Sequence, residues 1–254
     1  MLFVTVFGGL IHSFLIFGVF PLDILGTLRA INVGMPIFKN INKDFFKKWS
    51  HDMAYILGFL FADGNIMKTK RNTHFISFYT ADREILVSIA EVMKLPHKIS
   101  ERKSETGSVY RVQIGSKEMF DDLVSLGLTP NKSRRMKLPF VPKKYIADFV
   151  RGYFDGDGNV WVGYTNKTRK KPTFVMFVAF TCASNIFLQN LSVVLKTVGL
   201  KGGSLFKLKD GNYGRLQFST LDSLKIYKIM YNTTSKLYLD RKKLIFENFI
   251  KMRA

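Results

Sequence analysis

Carboxylates are scarce in this chain: 19 Asp and Glu stand against 39 Lys and Arg, a formal charge of +20 in 254 residues. That deficit excludes a self-neutralising surface and points to a polyanionic partner, because cations that neutralise phosphates release condensed counterions. Charge alone leaves a ribosomal-type RNA binder and a merely soluble basic protein open. Cysteine occurs once, at Cys182, which excludes a disulfide framework and any all-cysteine metal site and fits a reducing, intracellular compartment. Charge of either sign is absent from Leu2 to Leu22, and residues 1–35 carry only Asp23 and Arg29. The run is nearly long enough for a membrane span but lacks the positive n-region of a signal peptide. The whole excess of positive charge lies downstream of it. Residues 1–35 are therefore read as an apolar leader that is not part of the mature protein up to its last residue, Met35, where translation begins; an intact mass that includes Met1 refutes this.

What is present is a repeat. "ILGFLFADGNI" (56–66) returns 94 residues later as "VRGYFDGDGNV" (150–160), so Gly58, Asp63, Gly64 and Asn65 match Gly152, Asp157, Gly158 and Asn159. "FYTADREILVSIAEVMK" and "FTCASNIFLQNLSVVLK" correspond at an offset of 102, and "VYRVQIGS" and "YGRLQFST" at 104. Internal repeats set the architecture. The growing offset places extra residues in the second half's first hairpin, around "YTNKTRKKPTF", where a loop is expected to hold them. With 47% hydrophobic and 14% aromatic residues there is ample core.

Each half reads as helix, two strands, helix, two strands, helix, an α+β plan αββαββα. In the first half an apolar helix over Ala54–Ala62 precedes a strand near "THFISFYT". Asp82 then caps "REILVSIAEVMKL", strands follow near Lys98–Lys103 and Tyr110–Ile114, and "KEMFDDLVSLGL" forms a helix ending at Gly127. "TPNKSRRMKLPFVP" is an extended linker, since prolines at 130, 139 and 142 forbid a long helix. The halves divide as 36–143 and 144–254.

Basic and amide side chains recur on the strands: Lys68, Lys70, Arg71, Arg102, Lys103, Arg111 and Gln113, then Lys167, Arg169, Lys170, Lys171, Lys207, Lys209, Arg215 and Gln217. A strand pair with one apolar and one basic face can lie in the DNA major groove. An ordinary solvated face is the competing account, but it would carry acids too. On the motif helices Ala54, Gly58 and Ala62, and likewise Gly152 and Gly156, are four apart, so two helices can pack backbone to backbone. Asp63 and Asp157 would then meet at the foot of that pair. Neighbouring carboxylates repel unless a cation lies between them, and oxygen ligands favour a hard ion such as Mg²⁺ or Mn²⁺, the equipment of phosphodiester hydrolysis. An EF-hand reading of "DGDGNVWVGYTN" fails, because its sixth and twelfth positions are Val160 and Asn166. Simple helix-ending glycines or capping acids would each explain one copy but not the recurrence.

"ILGFLFADG" and "VRGYFDGDG" resemble the two copies of the LAGLIDADG motif, and the chain resembles a single-chain LAGLIDADG homing endonuclease over residues 36–254; "LGLTPNKSRRMKLPFVP" is similar to that family's inter-repeat segment. The resemblance implies pseudo-twofold αββαββα halves, a saddle of antiparallel sheets over a long asymmetric DNA site, and a monomer. It also implies divalent metal and cleavage of both strands across the minor groove. It makes Asp63 and Asp157 the metal ligands, helped by the carbonyls of Ala62 and Gly156, and a lysine in each half a catalytic group. "NKS" selects Lys132, and the offset of 104 lands on Lys236, with Arg241 and Lys242 close by in "LDRKK". Phosphate contact is the plain alternative for each lysine. Phe61 departs from the motif's earlier acid, which Asp155 keeps as a structural or polar accessory.

An intron maturase that binds intron RNA and a non-cleaving DNA-binding regulator are the alternatives. The end "KMRA" lacks the His-Asn and following nucleophile of an intein. The expected location is intracellular and DNA-associated, in a prokaryotic cytoplasm or an organelle.

Overall fold

The computed structural model describes residues 41–95, 98–105, 107–166, 168–207 and 213–253. The apolar leader, Lys167 and Lys209 lie outside them. The first half runs α1 His51–Asp63, β1 Gly64–Lys68, β2 His74–Thr80, α2 Arg83–Val92, β3 Ser100–Ser104, β4 Gly107–Gly115 and α3 Lys117–Ser125. The second runs α4 Ile146–Asp157, β5 Gly158–Thr165, β6 Thr173–Cys182, α5 Asn185–Thr197, β7 Ser204–Lys207, β8 Gly214–Phe218 and α6 Thr220–Tyr231, then adds α7 Asp240–Arg253. That last helix has no counterpart in the first half. Each half carries one antiparallel four-stranded sheet, in the orders β1-β2-β4-β3 and β5-β6-β8-β7.

Local chemistry accounts for three of the helix starts. The hydroxyls of Ser50, Ser116 and Ser184 accept from the backbone amides of Met53, Met119 and Phe187, at 3.0, 3.2 and 3.3 Å, a standard way to satisfy the free amides of a first turn. Asp82 precedes α2, but its side chain makes no capping bond; it binds Arg241 instead. α1 is buried from Met53 to Ala62, as an apolar-all-round helix must be.

α1 and α4 pack on each other at backbone contact. A methyl group at Gly58 would overlap the carbonyl of Phe149, and one at Gly152 the carbonyl of Tyr55. The small-residue face expected from the sequence is thus where the helices meet, with Ala54 fully buried beside it. Residues of both halves contribute to one continuous core. Gly64 and Gly158 end these helices in extended backbone, with φ of −90° and −89°, so no left-handed turn is involved. They are needed because a side chain there would strike Leu60 and Phe154 of the preceding turn. The chain passes from helix to strand without a loop.

The extra residues of the second half's first hairpin do not gather in its loop. β5 and β6 have 8 and 10 residues where β1 and β2 have 5 and 7. Most of the insertion lengthens the paired strands, continuing the register from Gly158↔Phe180 to Thr165↔Thr173. Each added residue on one strand finds a ladder partner on the other, which a longer loop would not provide.

Candidate active site

Asp63 and Asp157 are the last residues of α1 and α4, and β1 and β5 begin at the next residue. The helix packing brings the two ends together: a methyl group at Gly156 would overlap the Ala62 side chain and stand 3.3 Å from Asp63 Oδ2. Both carboxylates are half-buried. Burial pushes the Asp63 carboxyl above its usual range, against the pull of the Lys242 and Lys132 charges. Burial, then the charge of Asp63, pushes Asp157 up to about 7, again against Lys132 and Lys242. Two carboxylates in mutual repulsion, partly open to solvent, favour a cation between them.

Two lysines meet this pair, one per half. Lys132 Nζ donates to the Ala62 carbonyl at 2.7 Å. In the second half the equivalent is Lys242, not Lys236. Lys242 Nζ lies 2.7, 2.8 and 2.7 Å from the carbonyls of Phe154, Asp155 and Gly158, and 3.4 Å from that of Gly156. Lys236 is exposed. The offset of 104 fails here because α6 has 12 residues against 9 in α3, and a longer connection follows it before α7. Both ammonium groups sit where helix carbonyls run out of intrahelical donors, a favourable place for a cation. Burial pulls their pKa values down, that of Lys242 to about 8. The signal for Lys242 was in "LDRKK", but choosing it required the length of the connection.

Among the described residues no three His, Cys, Asp or Glu cluster as a metal site. Two carboxylates and backbone carbonyls are an all-oxygen, incomplete donor set. It fits a hard divalent ion that completes its shell with water or phosphate oxygens, and does not fit a soft ion. The carbonyls of Ala62 and Gly156 face the lysines, so their part as ligands rests on the second lone pair each retains.

Asp155 stands apart from this chemistry. It is buried, its Oδ2 accepts from Tyr55 Oη at 2.7 Å and from the Leu239 amide at 3.0 Å, and Oδ1 has no partner among the described residues. Burial pushes it up to about 6. At the matching position Phe61 packs on Phe149 and Phe187. Sequence reading missed a second buried group on α4. Arg151 donates through Nε to the Leu237 carbonyl at 2.8 Å and through Nη2 to Asp148 Oδ1 at 3.0 Å; Nη1 binds the Met230 carbonyl and Thr233 Oγ1. Asp148 in turn pairs with His51 Nδ1 at 2.6 Å. This arginine ties the α6–α7 connection, and hence Lys242, to the motif helix.

The exposed sheet faces begin at the carboxylates. Ladder register puts Asn65, Met67, Phe75, Ser77, Arg102, Arg111 and Gln113 on one face of the first sheet, with Gln113 donating to Ser77 Oγ at 3.3 Å. The second sheet shows Asn159, Trp161, Phe177, Phe206, Arg215 and Gln217. Lys68, Lys103 and Lys207 fall on the opposite faces, one residue away in parity, because side chains alternate along a strand. Lys68 ends β1, Lys70 and Arg71 lie in the turn after it, and Arg169, Lys170 and Lys171 are exposed in the longer hairpin. The second face is more aromatic than expected. Trp161 stacks on Phe177 at 5.8 Å, and Gly163 leaves room for the indole, which a methyl group would strike.

The LAGLIDADG-like domain family matches residues 50–126 and 144–227. Among curated proteins, homing endonuclease I-ApeI of Aeropyrum pernix is 26% identical over 187 residues, 68% of this chain and 77% of that one. The DNA-directed RNA polymerase subunit Rpo1C of Methanocaldococcus jannaschii is 27% identical over 117 residues, 44% of this chain but only 13% of that protein's length. The solved structure of meganuclease I-SmaMI bound to DNA superposes with a TM-score of 0.55 at 13% identity, over 78% of this chain and 89% of that one. The two matched segments each open on a motif helix and continue through a four-stranded sheet, and the chain belongs to the LAGLIDADG-like domain family, with two copies in one polypeptide.

Proposed function

We propose that the protein is a site-specific, metal-dependent endonuclease that hydrolyses both strands of a long, asymmetric DNA duplex. The carrying observation is the meeting of Asp63 and Asp157, half-open, at the ends of two helices whose backbones touch. Asp63 and Asp157 would hold Mg²⁺ or Mn²⁺. Such an ion supplies Lewis-acid stabilisation of the charge that develops on the phosphate oxygens. Lys132 and Lys242 place two further positive charges at the scissile phosphates, each fixed by helix carbonyls and so needing no reorganisation during reaction. The sheet faces grip the duplex on either side. Arg102, Arg111 and Arg215 contact phosphate or guanine, Gln113 and Gln217 reach adenine edges, and the Trp161–Phe177 stack suits thymine methyls. The homing endonuclease name of the Aeropyrum pernix relative and the DNA-bound meganuclease support this reading. The two halves carry different side chains at matched positions, which suits an asymmetric target read by one chain acting as a monomer.

The test is selection of cleaved sites from a random duplex library in Mg²⁺, run beside Asp63→Asn and Asp157→Asn proteins. Wild type is expected to yield one consensus cut on both strands, and each variant to lose cleavage by at least ~10²-fold. No cleavage by wild type, or full cleavage by both variants, overturns the proposal.

A further inference from the structure

The residue before α2 is in a position to cap that helix, yet Asp82 turns its carboxylate outward. Arg241 Nε and Nη2 donate to Asp82 Oδ1 and Oδ2, both at 2.7 Å, a two-pronged fork between residues 159 apart. Arg241 immediately precedes Lys242. The residue at the matching place before α5 is Ser184, and its hydroxyl donates to the Met136 carbonyl at 2.6 Å. Met136 lies four residues beyond Lys132 in the inter-repeat linker. The contact therefore occurs twice, with the halves exchanged. Each lysine serves the motif helix of its own half, and the segment carrying it is held by a residue that opens a helix of the other half.

On the nuclease reading above, we infer that Asp82 and Ser184 are positioning residues that set Lys242 and Lys132 across the junction between the halves. The Asp82–Arg241 pair is partly solvent-exposed, and such a pair contributes little to global stability. A planar guanidinium gripping both carboxylate oxygens nevertheless fixes direction as well as distance, and here it fixes the first turn of α7. Lys242 must reach four carbonyls at the end of α4 from that turn. A small rotation of α7 would misplace its ammonium, and misplacement by about 1 Å can cost 10²-fold in rate. The chemistry of one half thus depends on a side chain of the other, which links the two strand cuts.

The experiment follows each strand separately, on a duplex recovered from the library selection and labelled differently at its two 5′ ends. Asp82→Ala and Arg241→Ala are each expected to slow one strand's cut by about tenfold relative to the other, so that nicked duplex accumulates, with DNA affinity and thermal midpoint near wild type. The exchange Asp82→Arg with Arg241→Asp is expected to restore the balance. Ser184→Ala should bias nicking toward the opposite strand, and Ser184→Thr should retain wild-type balance. Unchanged strand balance in the Asp82 and Arg241 single variants overturns the inference, as does an equal loss on both strands or a bias that the exchange leaves in place. If wild type cuts no duplex, the nuclease reading itself fails, which is a separate result.

Discussion

At the scale of single residues, two lysines six positions apart in the second half stand in opposite surroundings. Lys242 faces three carbonyls of α4 and that of Gly158 at the start of β5, whereas Lys236 is solvent-exposed. Lys242→Met is accordingly expected to lower single-turnover cleavage by about 10²-fold or more, and Lys236→Met to leave it within about twofold. The stability cost of Lys242→Met, which strips buried carbonyls of a donor, is read separately from a urea midpoint. Asp155 gives a pH signature. Its folded pKa, about 6, lies above the unfolded value, so its contribution is fully present below about pH 4 and is lost as pH rises through about 6. Asp155→Asn keeps an acceptor for Tyr55 and Leu239 and removes the ionisation. It should flatten the decline in urea midpoint across that window and gain roughly 1–3 kcal/mol at pH 8. A variant that declines as steeply as wild type would show that Asp155 is not the group responsible.

At the scale of elements, strand register decides which cations stand on the sheet faces proposed to bind DNA. Arg111 projects from the exposed face of β4, while Lys103 and Lys207 project from the opposite faces of β3 and β7. Duplex affinity measured against salt should fall linearly on a log–log plot. Arg111→Ala should reduce the slope by about 1, and Lys103→Ala and Lys207→Ala should hardly change it. Equal loss of slope in all three would mean that the edge strands bend far enough to bring both faces to the phosphates. The sequence marked these segments as basic strands, but lysines adjacent to arginines cannot share their face, and only the ladder says which parity points outward. The lengthened β5–β6 hairpin has the same lesson: its insertion was visible in the offsets, whereas its continuation as paired strand depended on cross-strand partners.

At the scale of the whole molecule, the junction of α1 with α4 holds the halves together and sets the carboxylate pair. Gly58→Ala would drive a methyl into the Phe149 carbonyl. Backbone cannot yield as a side chain can, so a loss of about 3 kcal/mol or more is expected in denaturant titration, with cleavage lost in step. A stable, active Gly58→Ala protein would show that the helices are less intimate than this. By itself the sequence determined the twofold plan, the placement of Asp63 and Asp157 at the ends of the two motif helices, the small-residue helix face and the positive charge. These are written in local periodicity and in a motif that occurs twice. Tertiary structure alone decided the rest: Lys242 rather than Lys236, the arginine at 151 that anchors the α6–α7 connection, and the diversion of Asp82 from its helix to Arg241. Each depends on segments far apart in the chain arriving at one place, and loop lengths and helix ends set that arrival without leaving a periodic mark in the sequence.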